Sequence, residues 1–126
     1  MKASSRDRSR SDERRVLGAQ GESRAARFLA RRGYQIVARN VRTPYGEIDI
    51  IAQQSDVTIF VEVKTLTSSV NFFPETNITP AKQQHMLNTA QHYAAEHEID
   101  HWQIDAIAVE GKPGSKPVIT HFENAI

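Results

Sequence analysis

Two acids and a lysine stand where strand-forming residues are expected. Asp49 interrupts Gly46-Glu47-Ile48-Asp49-Ile50-Ile51-Ala52, and Glu62 and Lys64 interrupt Val57-Thr58-Ile59-Phe60-Val61-Glu62-Val63-Lys64. Both runs are rich in Ile and Val and read as strands, and the polar Gln53-Gln54-Ser55-Asp56 between them is short enough for a hairpin. A charge removed from water without a partner is expensive, so charges inside such runs need a reason. Side chains alternate along a strand, which puts Glu47, Asp49 and Ile51 on one face and Phe60, Glu62 and Lys64 on one face of the next strand. With all four polar residues in the loop, Asp49 lies opposite Phe60 and Glu47 opposite Glu62. Asp49 and Glu62 are then diagonal neighbours, roughly 7–8 Å apart. A loop one residue longer or shorter on one side would separate them onto opposite faces. Two carboxylates so placed can hold a divalent cation, while the lysine aims an ammonium at whatever the cation binds. That is a nuclease-like arrangement.

The chain that must position these residues has 126 residues, enough for one domain with a single core. It has no Cys, which excludes disulfides, Cys-based zinc sites and thiol nucleophiles. The sequence offers no apolar run of membrane-spanning length and no secretory signal, so a cytoplasmic protein with no membrane partner is expected. A net charge of +1 hides an asymmetry: residues 1–42 carry 12 of the 16 Lys and Arg against 4 acids, or +8, leaving −7 for residues 43–126. Such a division suits a surface that attracts polyanions beside one that holds cations, although a solvated helix with a charged tail would give the same count.

Residues 1–15 are rich in Ser, Arg and Asp and are expected to form a disordered basic tail, with residues 16–126 as the single domain. A helix follows from about Val16 to Arg32, closed by Gly33, with Ala25, Ala26, Phe28 and Leu29 as its apolar stripe. Glu22 falls on the inward side of this helix, either for a metal-related role or as an acid favoured in the first turns. Arg24, Arg27 and Arg31 make a basic ridge suited to nucleic acid. Tyr34 to Asn40 reads as a strand, followed by a turn at Thr43-Pro44-Tyr45-Gly46 and then the hairpin. Thr65 to Ile78 is a long polar loop whose Phe72 and Phe73 could stack on bases or pack on the sheet. Thr79-Pro80 opens a second helix with Met86, Leu87, Ala90, Tyr93 and Ala94 as its core stripe. Lys82, His85, Asn88 and His92 lie toward its other side. Strands at about Gln103 to Val109, apolar apart from Asp105, and Val118 to Phe122 complete an α/β domain of order α-β-β-β-α-β-β with a mixed sheet.

At Asp49 and Glu62-Val63-Lys64 the chain resembles the PD-(D/E)xK nuclease superfamily, with Ile48 in place of the proline that names the motif. It is more closely similar to the YraN-like family of small bacterial endonuclease-like proteins. The resemblance covers nearly everything after the tail. It includes Gly21-Glu22, Tyr34, Arg39-Asn40, Gly46-Glu47-Ile48-Asp49, Phe60-Val61-Glu62-Val63-Lys64, Lys82, Asp105, and the ending from His121 to Asn124-Ala125. It implies a restriction-endonuclease-like fold, a mixed central sheet flanked by helices. By similarity to archaeal Holliday-junction resolvases it implies Mg²⁺ (or Mn²⁺) held by Asp49, Glu62 and the Val63 carbonyl. Lys64 would serve the phosphate or the attacking water, and Glu22 would orient water or complete the metal shell. Glu47 and Lys82 are further candidates, Lys82 as a nucleic-acid contact. The Gln-x-x-x-Tyr signature of the RecB-like branch is absent, and nothing is carried over from it.

The expected function is metal-dependent phosphodiester hydrolysis on DNA, including branched or structured DNA, with DNA favoured over RNA and a homodimer left open. The alternative is a nucleic-acid-binding module that keeps the fold without the activity. A third reading comes from His97-Glu98-Ile99-Asp100-His101, which fits the H-E-x-x-H zinc signature. That chemistry needs both histidines on one face of a continuous helix, whereas the helical pattern here fades after Ala94. The zinc reading is therefore set aside.

Overall fold

In the computed structural model, residues 5–66, 79–111 and 114–126 are described, with side chains from Val16 onward except Leu17. Two helices and five strands follow one another as α1 (Ser5–Arg31), β1 (Gln35–Thr43), β2 (Gly46–Gln54), β3 (Val57–Leu66), α2 (Pro80–Glu96), β4 (Trp102–Glu110) and β5 (Val118–Phe122). The strands form one sheet in sequence order, antiparallel except for the parallel pair β3–β4. This is the α-β-β-β-α-β-β order and mixed sheet of a restriction-endonuclease-like core.

The sheet separates two apolar clusters, one under each helix. Ala25 and Leu29 of α1 pack on Ile50, Ile59, Val61, Ile107 and Val109. Ala90 and Ala94 of α2 pack on Ile48, Ile51, Phe60 and Ile104. Alternate residues of β2, β3 and β4 supply opposite clusters, which is why these strands read as nearly continuous apolar runs. Asp105, the one acid in β4, is fully buried. It accepts hydrogen bonds from Gln103 Nε2 (2.8 Å) and the Asn124 N–H (2.9 Å), and lies 2.7 Å from His121 Nε2. Its place in the strand is thus explained by its partners, which tie the C-terminal segment to the sheet.

The capping signals in the sequence hold. Gly33 takes φ +91° after α1, and the Thr79 side chain accepts from the Lys82 N–H at the start of α2. Three expectations are corrected. The first helix, expected from about Val16, begins at Ser5. Residues 5–15 contain neither Gly nor Pro and include Arg and Glu, which extend a helix at little cost without an apolar stripe. The β2–β3 loop has two residues rather than four: Gln53 pairs with Thr58 and Gln54 with Val57. Ser55 allows so tight a turn by adopting φ +54°. The loop expected at Thr65 to Ile78 begins later, since β3 reaches Leu66. Phe72 and Phe73 lie outside the described residues.

Candidate metal and nucleic-acid site

The corrected register moves the acids closer without changing their face. Ladder pairing between β2 and β3 reaches Ile50–Val61, so Asp49 and Glu62 are the next residues along, across from one another rather than diagonal. There the strands part. The Val63 N–H donates to Asp49 Oδ2 at 2.8 Å, so a side chain takes up a backbone donor at the mouth of the gap. The Asp49 and Glu62 carboxyls hydrogen-bond each other. Two carboxylates cannot share such a bond unless one keeps a proton.

Burial, reinforced by the charge of Glu62, pushes the Asp49 carboxyl up to about 7. Burial also raises Glu62, but the ammonium groups of Lys64 and Lys82 pull the other way. The pair therefore holds one proton between its two carboxyls. Glu22 is the third acid. Its carboxyl is raised by burial and by the charge of Asp49, while Arg39, 3.9 Å away, and a hydrogen bond with Asn40 offset this.

Gly21 explains how a helix acid arrives beside a strand pair. It is buried, and a side chain there would collide with the Thr65 hydroxyl on β3. Only Gly lets α1 lie so close to the strand, one residue before Glu22.

Glu22 and Asp49 are thus within electrostatic reach of one another, and Glu62 is within reach of Glu22, Asp49, Lys64 and Lys82. Val63 enters through its N–H, which donates to Asp49. Among the described residues, no three His, Cys, Asp or Glu side chains form a ready metal cage. The donor set is a carboxyl pair with a third acid nearby. A divalent cation that keeps several waters fits this all-oxygen set, and it would replace the proton that now relieves the repulsion.

Arg24, Arg27 and Arg31 do not join the carboxylates. With Lys116 they line a concavity between α1 and β5. Sequence reasoning missed Lys116, which sits in the β4–β5 connection and carries no local signal. It also placed His85 and His92 on a solvated face of α2. His85 is exposed there and also lines a cavity beside Glu47 and Glu62, while half-buried His92 is held by Glu96 at 2.6 Å with its ring 5.5 Å from Tyr45. That cavity, whose mouth carries Tyr45, was not foreseen either. The H-E-x-x-H segment fails as expected. α2 ends at Glu96, Glu98 has φ +52°, and His97 stacks on Tyr93 with ring centroids 3.9 Å apart.

The family model described as "Uncharacterised protein family UPF0102" matches residues 21–109. A UPF0102 protein of Syntrophotalea carbinolica is 42% identical over 115 residues, covering 90% of this chain and 93% of that protein. One from Nocardia farcinica is 42% identical over 113 residues, covering 88% and 89%. Among solved structures, Pyrococcus furiosus SfsA in complex with Ca²⁺ aligns with a TM-score of 0.44 at 15% identity, covering 86% of this chain. This chain spans 63% of the length of that one. No described helix is long and apolar enough to cross a membrane. With a matched segment that runs from Gly21 to Val109 in β4 and so takes in all five residues gathered at the carboxyl pair, the chain belongs to the UPF0102 family.

Proposed function

We propose that this protein is a metal-dependent phosphodiesterase acting on nucleic acid, with DNA preferred to RNA. The observation that carries this reading is the Asp49–Glu62 carboxyl pair, buried until it shares a proton, with Lys64 two residues beyond Glu62. Such a pair is costly in a metal-free fold, and a module that only bound polyanions would have no use for it. Asp49, Glu62 and the Val63 carbonyl would hold Mg²⁺ or Mn²⁺. When bound, the cation supplies polarisation of the phosphate and a lowered pKa for water.

The remaining work falls to the chain's own groups. Lys64 places a fixed positive charge where negative charge develops on the phosphoryl oxygens. Lys82, whose charge already reaches Glu62, contacts a neighbouring phosphate. Glu22, steadied by Arg39 and Asn40, orients water toward the phosphorus. The basic concavity at Arg24, Arg27, Arg31 and Lys116 favours a second reading, a binding module without turnover, since it lies apart from the carboxyl pair.

A cleavage screen on linear, nicked, flapped and four-way DNA, and on RNA, separates the two. Mg²⁺- or Mn²⁺-dependent cleavage that disappears in Glu62→Gln is expected. Nucleic-acid binding without cleavage under any metal or substrate structure leaves the binding module.

A further inference from the structure

We propose that the cavity between α2 and the open end of β2–β3 receives one unstacked nucleobase, from the nucleotide beside the phosphate engaged at Asp49 and Glu62. The inference rests on the function proposed above and narrows its substrate to a strand with a base free to leave the stack.

The cavity has a volume of about 120 Å³, below the roughly 300–1,000 Å³ of sites that enclose drug-sized ligands, which limits its occupant to something small. Its floor is apolar, formed by buried Phe60, Ala90 and Ile104, and Met86 supplies a deformable wall. Tyr45 stands at the mouth, 47% exposed. Its ring lies against His92, which is itself fixed by Glu96. An aromatic ring held at the entrance of an apolar slot is suited to stacking on a base, whichever base it is.

Continuity with the carboxyl pair selects this occupant over other apolar ligands. Glu62 belongs both to the cavity wall and to the pair. On α2, Lys82 reaches Glu62 with its charge, while His85 and Met86, one turn further on, line the cavity. One helix face thus offers a cation for a phosphate and an apolar recess beside it, which is the division of a nucleotide. A base stacked in duplex cannot enter such a recess. Extrusion costs a few kcal/mol and least where pairing is already lost, so ends, flaps, junctions and single strands are favoured.

The test is binding of short single-stranded DNA to the full chain in Ca²⁺, with an abasic nucleotide placed in turn along the strand, alongside cleavage of the same strands in Mg²⁺. At one position the missing base should weaken binding roughly tenfold. Tyr45→Ala, on an exposed turn, and Met86→Trp, which fills the cavity, should bring that ratio toward one while binding the abasic strand as the parent does. A ratio unchanged in both variants overturns the cavity as the place of the base. Equal affinity for intact and abasic strands at every position, in a protein that cleaves them, overturns the inference and leaves the proposed function standing. Neither binding nor cleavage of any strand overturns the proposed function, and the base pocket with it.

Discussion

At the scale of the residue, Lys64 separates enzyme from binder. It follows Glu62 by two positions on the same strand, so its ammonium stays beside anything the carboxyl pair holds. If its charge serves the transition state, Lys64→Ala should leave affinity within a few-fold and lower single-turnover cleavage by about 10²–10³. An equal loss of affinity would mark it as a phosphate contact. Asp49 gives a second residue-level prediction. Its carboxyl is raised in the folded protein, so between its unfolded value of about 3.9 and about 7 the native state binds more protons than the unfolded one. The contribution of this carboxyl to metal-free stability is therefore full below that window and is lost as pH rises through it. Asp49→Asn should flatten the decline and raise the melting temperature at about pH 8. Thermal denaturation with chelator present, from about pH 5 to pH 8, measures both. Divalent-ion affinity should move the opposite way, weakening as pH falls below about 7, because proton and cation compete for one carboxyl.

At the scale of the element, what matters is how closely α1 and the β2–β3 hairpin are allowed to approach. Gly21→Ala forces the Cβ into Thr65, so the helix must lift or the strand must move. The expected cost is about 1–3 kcal/mol, read as a lower melting temperature. Cleavage should fall as well, because Glu22 is carried with the helix, whereas Gly18→Ala, inside the same helix with open space for its Cβ, should leave cleavage unchanged and raise the melting temperature slightly. The strands, the caps and the shared face of Asp49 and Glu62 were legible from alternation, Gly33 and Thr79-Pro80. The register was not, because Gln53 and Gln54 carry the polarity of a loop yet pair within the ladder. Their neighbour Ser55 accepts a left-handed backbone without being Gly, which no local pattern announces. The error was an even number of residues, so the faces survived it.

At the scale of the whole molecule, two surfaces made from distant segments were hidden for a common reason. The α2 cavity joins the β1–β2 turn to the second helix, and the basic concavity joins α1 to the β4–β5 connection, so neither has a sequence neighbourhood. Arg24, Arg27 and Arg31 alone looked like a ridge, indistinguishable from a solvated helix face. Lys116, together with Pro117 and Ile119, turns them into one wall of a groove. A groove of that charge, apart from the carboxyl pair, should track the phosphate backbone and supply affinity without chemistry. Replacing Arg24, Arg27, Arg31 and Lys116 by Gln should weaken binding to every DNA sequence alike. The salt dependence should flatten, log K against log salt losing a slope of about 0.9 for each duplex phosphate contact removed. Cleavage at saturating DNA should stay near the parent rate, since none of the four reaches the Asp49–Glu62 pair. Titrations at several salt concentrations, with single-turnover rates on the same substrate, decide the matter. An unchanged slope would make the groove a solvated face, and a lost rate at saturation would tie it to the chemistry instead.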